Sequence, residues 1–235
     1  MASEVLALPG ERRVCDGPAA MEPIRFTTAD GLTLEGEVRR AESRARGTAV
    51  LCHPHPRHGG SKDHPLLWTI RNDLAARRGA TVVTFNSRGI MGSEGSFGSG
   101  IDERQDLAAA IDVARRLDGG PTLVVGWSFG ANLALCHAVS DPRIAGLALI
   151  GLPVAGIGPK VPDLPPREAL RGLRAPVLLI SGAADQFSPA PELRSLARKI
   201  GTADVKVVPD SGHFFERRER WVAEQVGSFA ERVLG

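Results

Sequence analysis

The sequence predicts an α/β fold, a mainly parallel β-sheet with helices packed on both faces. Three observations carry that expectation. Short apolar runs rich in Val, Leu and Ile recur along the chain, as in Val177-Leu178-Leu179-Ile180. Such runs lack the strict alternation of a half-exposed strand and read as strands buried on both sides. Between them lie stretches of helix formers, and strands alternating with helices imply parallel pairing with crossover connections. Only the start of the chain departs from this rhythm. There, residues 24–28 and 32–38 flank Ala29-Asp30-Gly31, whose Asp-Gly step signals an antiparallel hairpin.

Taken in order, the parallel strands are expected near 47–52, 80–85, 121–126, 144–150, 176–181 and 203–208. Helices are expected near 64–78, 101–117, 128–140, 166–171, 189–200 and 216–233. Residues 1–21 are rich in Gly, Pro and charge without periodicity and read as a disordered tail, so the expected organisation is that tail followed by one domain over 22–235. Met21 directly precedes the first convincing strand, which makes it the expected native start and the first twenty residues dispensable.

A length of 235 residues suits one domain with a substantial core, and 43% hydrophobic with 24% charged residues is ordinary globular composition. The net charge of +2 gives no warrant for a polyanionic partner. Arginine pairs such as Arg77-Arg78 and Arg115-Arg116 are spread along the chain, so no nucleic-acid stripe forms. Cys15, Cys52 and Cys136 show neither paired nor metal spacing. Cys52 and Cys136 read as small core residues, which favours a reducing, cytoplasmic compartment. No apolar run reaches membrane-spanning length and no signal peptide is evident, so no membrane association is expected. Nothing in the sequence fixes an oligomeric state.

The chemistry is expected at Gly126-Trp127-Ser128-Phe129-Gly130. The strand Thr122-Leu123-Val124-Val125 precedes it and the apolar helix former Ala131-Asn132-Leu133-Ala134-Leu135 follows. A serine on so sharp a strand-to-helix turn is held in strained backbone angles, and small residues two positions to either side let the chain make the turn. The hydroxyl is thereby lifted above the sheet edge, a nucleophile elbow. It needs a base and a group to orient that base. His213 lies just after the alternating strand at 203–208, and Asp185 just after the buried run at 176–181. Both fall at carboxyl ends of strands, where open α/β sheets build their sites. Asp210 is a rival acid, but three residues from His213 in a tight turn it is better suited to local hydrogen bonding.

An oxyanion site is expected from the backbone N–H of Phe129, next to the nucleophile, and that of His55 in His53-Pro54-His55-Pro56. The two prolines have no N–H and stiffen that loop. Leu152, Pro153, Phe187, Phe214 and Phe215 are candidate substrate-lining residues beside the strand ends, with core packing at least an equal alternative for each.

The His53-Pro54-His55-Pro56 loop with Gly59-Gly60, the run from Asn86-Ser87-Arg88-Gly89 through Gly92 to Gly95, and the elbow at Ser128 together resemble the α/β-hydrolases. The nearest likeness is to the small, dienelactone-hydrolase-like group of bacterial serine hydrolases, over nearly all of the chain from about residue 22. Dienelactone hydrolases proper use a cysteine nucleophile. Here the elbow holds Ser128, so that reaction is not carried over. The resemblance implies an α/β-hydrolase fold and an esterase (EC 3.1.1) with Ser128, Asp185 and His213 as triad, no cofactor, and a small-molecule ester as substrate. Thioesterase, amidase or acyltransferase chemistry by the same triad is an alternative, as is a ligand-binding protein with little turnover. Where many lipases carry a large helical lid, residues 152–176 are rich in Pro and Gly and have room for a loop and one short helix. A minimal cap and an open site follow.

Two further features invite other readings. His53, His55, His58 and His64 crowd together, yet no zinc-like spacing is present, and a loop of backbone donors is the expected role, with no metal. The Gly/Ser run 92–100 lacks the Gly-Lys-Ser/Thr ending of a phosphate loop and reads as a flexible rim of the site. Arg88 either ties this rim to the rest of the site or is an ordinary surface arginine.

Overall fold

A computed structural model describes residues 21–154 and 161–235. The expectations for residues 1–20 lie outside the described residues. The hairpin pairs β1 (Met21–Thr27) with β2 (Thr33–Arg39), each strand shifted by a residue or more from the expected bounds. Six further strands follow: β3 (Gly47–Cys52), β4 (Ala80–Phe85), β5 (Thr122–Trp127), β6 (Ile144–Ile150), β7 (Val177–Gly182) and β8 (Ala203–Val208). They join into one eight-stranded sheet of order β1-β2-β4-β3-β5-β6-β7-β8. Pairings among β3 to β8 are parallel, and the hairpin joins antiparallel through β2 and β4.

Among the described residues six α-helices cover the sheet: α1 (Pro65–Arg77), α2 (Glu103–Asp118), α3 (Phe129–Ala138), α4 (Arg167–Gly172), α5 (Ala190–Ile200) and α6 (Glu219–Leu234). Because successive strand residues point to opposite faces, each central strand feeds two cores. Val50, Val124, Leu149 and Leu179 pack with Leu107 and Ile111 of α2, Leu133 of α3 and Leu193 of α5. Leu51, Val125, Ile150 and Ile180 pack with Leu67 and Ile70 of α1 and Val226 and Phe229 of α6. Burial on both faces is why those runs read as continuous apolar stretches. At the edge, β8 alternates half-buried and exposed residues, as its sequence does.

Two helices start later than their sequences suggest. Helix α6 begins at Glu219, not near 216, because Phe215 (φ 54°) and Arg217 (φ 62°) take left-handed backbone angles that no helix accommodates. Helix α2 begins at Glu103, and the preceding loop is not the loose rim expected. The fully buried Glu103 carboxylate accepts the N–H groups of Gly98 and Gly100, each at 2.7 Å. Its pKa is raised, chiefly by burial, against the pull of those backbone donors. Arg88 is likewise buried: it reaches Asp106 on α2 at 2.7 Å and Asp30 in the β1–β2 turn at 2.9 Å. It therefore ties the 86–95 loop to the hairpin and to α2.

Candidate active site

The elbow forms because two backbone segments approach more closely than any side chain permits. A Cβ on Gly126 would fall 2.2 Å from the Gly130 carbonyl oxygen, and one on Gly130 would fall 2.3 Å from that of Cys52. Between them Ser128 sits at φ 55°, ψ −114°, a conformation costly for a residue with a side chain and tolerated where surrounding structure enforces it. Its own N–H is held by the Ile150 carbonyl at 2.8 Å, which fixes the turn to the end of β6. Phe129, the first residue of α3, has no acceptor for its N–H within that helix.

His213 and Asp185 arrive from the loops after β8 and β7. His213 Nδ1 lies 2.9 Å from Asp185 Oδ2, and His213 Nε2 lies 2.9 Å from Ser128 Oγ. A carboxylate only accepts, so Nδ1 carries the proton and Nε2 accepts the serine O–H. The Asp185 side chain is fully buried, and its other oxygen accepts the N–H groups of Phe187 at 2.9 Å and Ser188 at 3.0 Å. Those two bonds set the carboxylate's orientation. The rival acid Asp210 is exposed in a left-handed turn. Trp127 Nε1 donates to the His213 carbonyl at 3.3 Å, and the Phe187 ring stands edge-on to the imidazole, 4.9 Å between centroids.

A cavity of about 360 Å³ opens above Ser128. His55, Phe129, Phe187, His213 and Phe214 all line it, so the expected oxyanion, lining and base residues share one space. Leu152 and Phe215 correct the expectation: Leu152 is fully buried in the core on the α3 side and Phe215 in the core on the α6 side, while Pro153 borders the cavity. Consecutive residues leaving a strand point to opposite sides, and the larger apolar side chain took the inner one. Phe214 is 60% exposed and stands at the rim.

The histidine-rich loop resolves into separate duties. His53 is buried; its Nδ1–H donates to the Pro54 carbonyl at 2.7 Å and its Nε2 accepts the Ser87 N–H at 3.0 Å. Burial pushes its imidazole down to about 4. His64 caps α1, with Nδ1 accepting the Leu66 N–H at 3.3 Å, and its ring lies 4.3 Å from that of Trp127. The His55 ring packs against Phe97 and Phe129, and His58 against His55. Among the described residues no three His, Cys, Asp or Glu side chains gather as a metal-binding group.

A family model described as an alpha/beta hydrolase domain matches residues 47–233. The chain belongs to the alpha/beta hydrolases. This hydrolase is 26% identical over 217 residues to an uncharacterized protein of Rickettsia prowazekii, covering 89% of this chain and 88% of that one. It is 28% identical over 151 residues to a Methylorubrum extorquens protein provisionally named a carboxymethylenebutenolidase, covering 61% of this chain and 52% of that one. Among solved structures, a Xanthomonas campestris member of the alpha/beta serine hydrolases without a lid superposes with a TM-score of 0.76 at 25% identity. That match covers 92% of this chain and 95% of the other.

Several neighbours of the site had only faint signals in the hydrolase sequence. Gly151 follows the apolar run of β6 directly, and its φ of 53° brings the backbone against His213. Trp127 stood inside the elbow motif without a role, and Val161, which lines the cavity, stood in a Pro-rich stretch with no periodicity. Free Cys52 and Cys136 are buried as expected, with burial pushing the Cys136 thiol up to about 11. Among the described residues no helix is long and apolar enough to cross a membrane.

Proposed function

We propose that this hydrolase cleaves carboxylic esters by two-step acyl transfer. The observation that carries this reading is the continuous hydrogen-bonded series from Ser128 Oγ through His213 to the buried Asp185, with 2.9 Å at each link. His213 Nε2 takes the proton as Ser128 Oγ attacks the ester carbonyl, and Asp185 stabilises the resulting imidazolium. The N–H groups of Phe129 and His55 hold the oxyanion, each such donor lowering the barrier by about 3 kcal/mol. His213 then returns the proton to the leaving alcohol. Water, activated by the same imidazole, releases the acid from the acyl-enzyme. These steps need no cofactor.

The cavity supports a small ester as substrate. Its volume of about 360 Å³ holds roughly a dozen water-sized groups, and Trp127, Phe129, Phe187 and Phe214 give it aromatic walls. The lidless Xanthomonas relative and the single short helix α4 between β6 and β7, among the described residues, support a site reached without a large cap. Buried free thiols accord with a cytoplasmic setting. Turnover of p-nitrophenyl butyrate by wild type and Ser128→Ala tests the reading. The variant is expected to fold normally and lose several orders of magnitude in kcat; turnover retained in Ser128→Ala refutes it.

A further inference from the structure

One side chain of α3 has a polarity that the helix itself does not use. Asn132 is 1% exposed, one turn below Ser128, and from Phe129 to Cys136 it is the one polar amide in a run of otherwise apolar or small residues. Asparagine is a poor helix former, and a buried amide without partners costs stability. Here its backbone N–H bonds the Ser128 carbonyl at 3.1 Å, so it moves with the elbow. Its side-chain Nδ2–H reaches across to the Pro162 carbonyl at 2.9 Å. One turn further on, Cys136 Sγ lies 3.6 Å from both Asn132 Oδ1 and the Asp163 carbonyl. The Pro162 ring is wedged against Gly100, where a Cβ would fall 2.5 Å from Pro162 Cδ and 3.2 Å from the Phe129 ring. Val161, the residue before Pro162, lines the cavity with Ser128 and Phe129.

We infer that Asn132 is a specificity-determining positioning residue: by holding the Pro162 carbonyl it fixes Val161 as a wall of the acyl pocket and so sets the chain length of ester accepted. The inference rests on the ester-hydrolase reading. Asn132 touches no reacting atom; it acts through the backbone of Pro162, and Cys136 supports the same strand of chain from below. A short acyl chain that stops before Val161 is indifferent to the anchor. A chain that just reaches Val161 uses the contact, and a longer one is turned away by it.

The test is a p-nitrophenyl ester series from acetate to decanoate on wild type, Asn132→Leu, Val161→Ala and the double variant, with fluorophosphonate labelling of each. Asn132→Leu keeps the branching at Cγ and removes the donor. The expected result is a rise in KM and a roughly threefold to tenfold fall in kcat/KM for the esters best accepted by wild type, the range that one or two lost methylene contacts give. Acetate changes little, and the preferred length moves towards longer chains. Val161→Ala is expected to produce the same shift, and the double variant no more than either, since both act on one wall. A uniform fall in kcat at every length, additive shifts, or an unmoved profile would overturn the inference. Should Asn132→Leu not fold, Asn132→Ser replaces it; failure of both to fold assigns Asn132 to folding alone and also overturns it. Absence of labelling in wild type would instead sink the hydrolase reading, a separate outcome.

Discussion

Gly151 leaves no room for a side chain beside His213: a Cβ built at this position would lie 3.1 Å from the imidazole Cε1 and 3.2 Å from Nδ1, closer than ordinary van der Waals contact. The same Cβ would lie 3.5 Å from Asp185 Oδ2. The backbone here also has φ 53°, and its N–H is bound to the Ile180 carbonyl at 2.7 Å, so the chain has little freedom to retreat. The end of β6 is thus the back wall of the imidazole. Gly151→Ala is expected to shift the ring by a few tenths of an ångström and lower kcat on p-nitrophenyl butyrate about tenfold to a hundredfold, the sensitivity of a hydrogen-bonded relay to misplacement. The left-handed angle adds about 1–2 kcal/mol of destabilisation, readable as a fall in the urea midpoint.

Asp185→Asn separates orientation from charge. The amide keeps the shape, but an Nδ2–H in place of Oδ2 faces His213 Nδ1 and favours the tautomer with the proton on Nε2, the wrong nitrogen for accepting from Ser128. Pre-steady-state and steady-state turnover are expected to fall by about four orders of magnitude at neutral pH. Circular dichroism is expected to match wild type, because the remaining oxygen still accepts from Phe187 and Ser188.

His53 makes stability depend on pH. Its folded-state value is pushed from 6.5 down to about 4 by burial. Between those values the unfolded chain binds a proton that the folded chain does not, so stability is fully present above about pH 6.5 and is lost as pH falls towards 4. The loss from this one group amounts to about 3 kcal/mol. Urea titrations across that window measure it, and His53→Asn is expected to flatten the slope there while lowering stability at neutral pH.

Arg88 is the test of the loop framework. Its side chain is 5% exposed and that of Asp106 is fully buried. Removing the guanidinium strands a buried carboxylate whose pKa burial already raises. Arg88→Ala is expected to cost about 3 to 5 kcal/mol in chemical denaturation. Arg88→Ala with Asp106→Ala is expected to recover part of that loss. If the single variant is no less stable than wild type, the pair is not the tie described.

Much of this is legible in the order of residues alone. The strands β3 to β7 stand out because burial on both faces leaves no polar alternation to confuse them. The elbow is local: Gly126, Ser128 and Gly130 create and permit the turn within five residues. The order Ser128, Asp185, His213 was readable because each follows a strand. Element starts were less so. The late start of α6 depends on left-handed angles at Phe215 and Arg217, which their side chains do not advertise, and the tied-down 92–100 loop depends on Glu103, whose burial no local pattern marks.

The order of residues alone sets the local events: which segments extend, which coil, where the chain turns sharply, and which side chains stand at the carboxyl ends of strands. These follow from residue-level sterics and from hydrophobic periodicity, which act over a few neighbours. Which of those side chains meet depends on long-range packing. The 2.9 Å contacts join residues 28 and 85 positions apart, and Leu152 turned inward while Pro153 met the cavity. The Asn132–Pro162 and Gly151–His213 approaches arise in the same way, from helix and sheet packing that brings distant backbone into register. Such contacts are set by the global minimum of packing, and no short stretch of sequence contains that information.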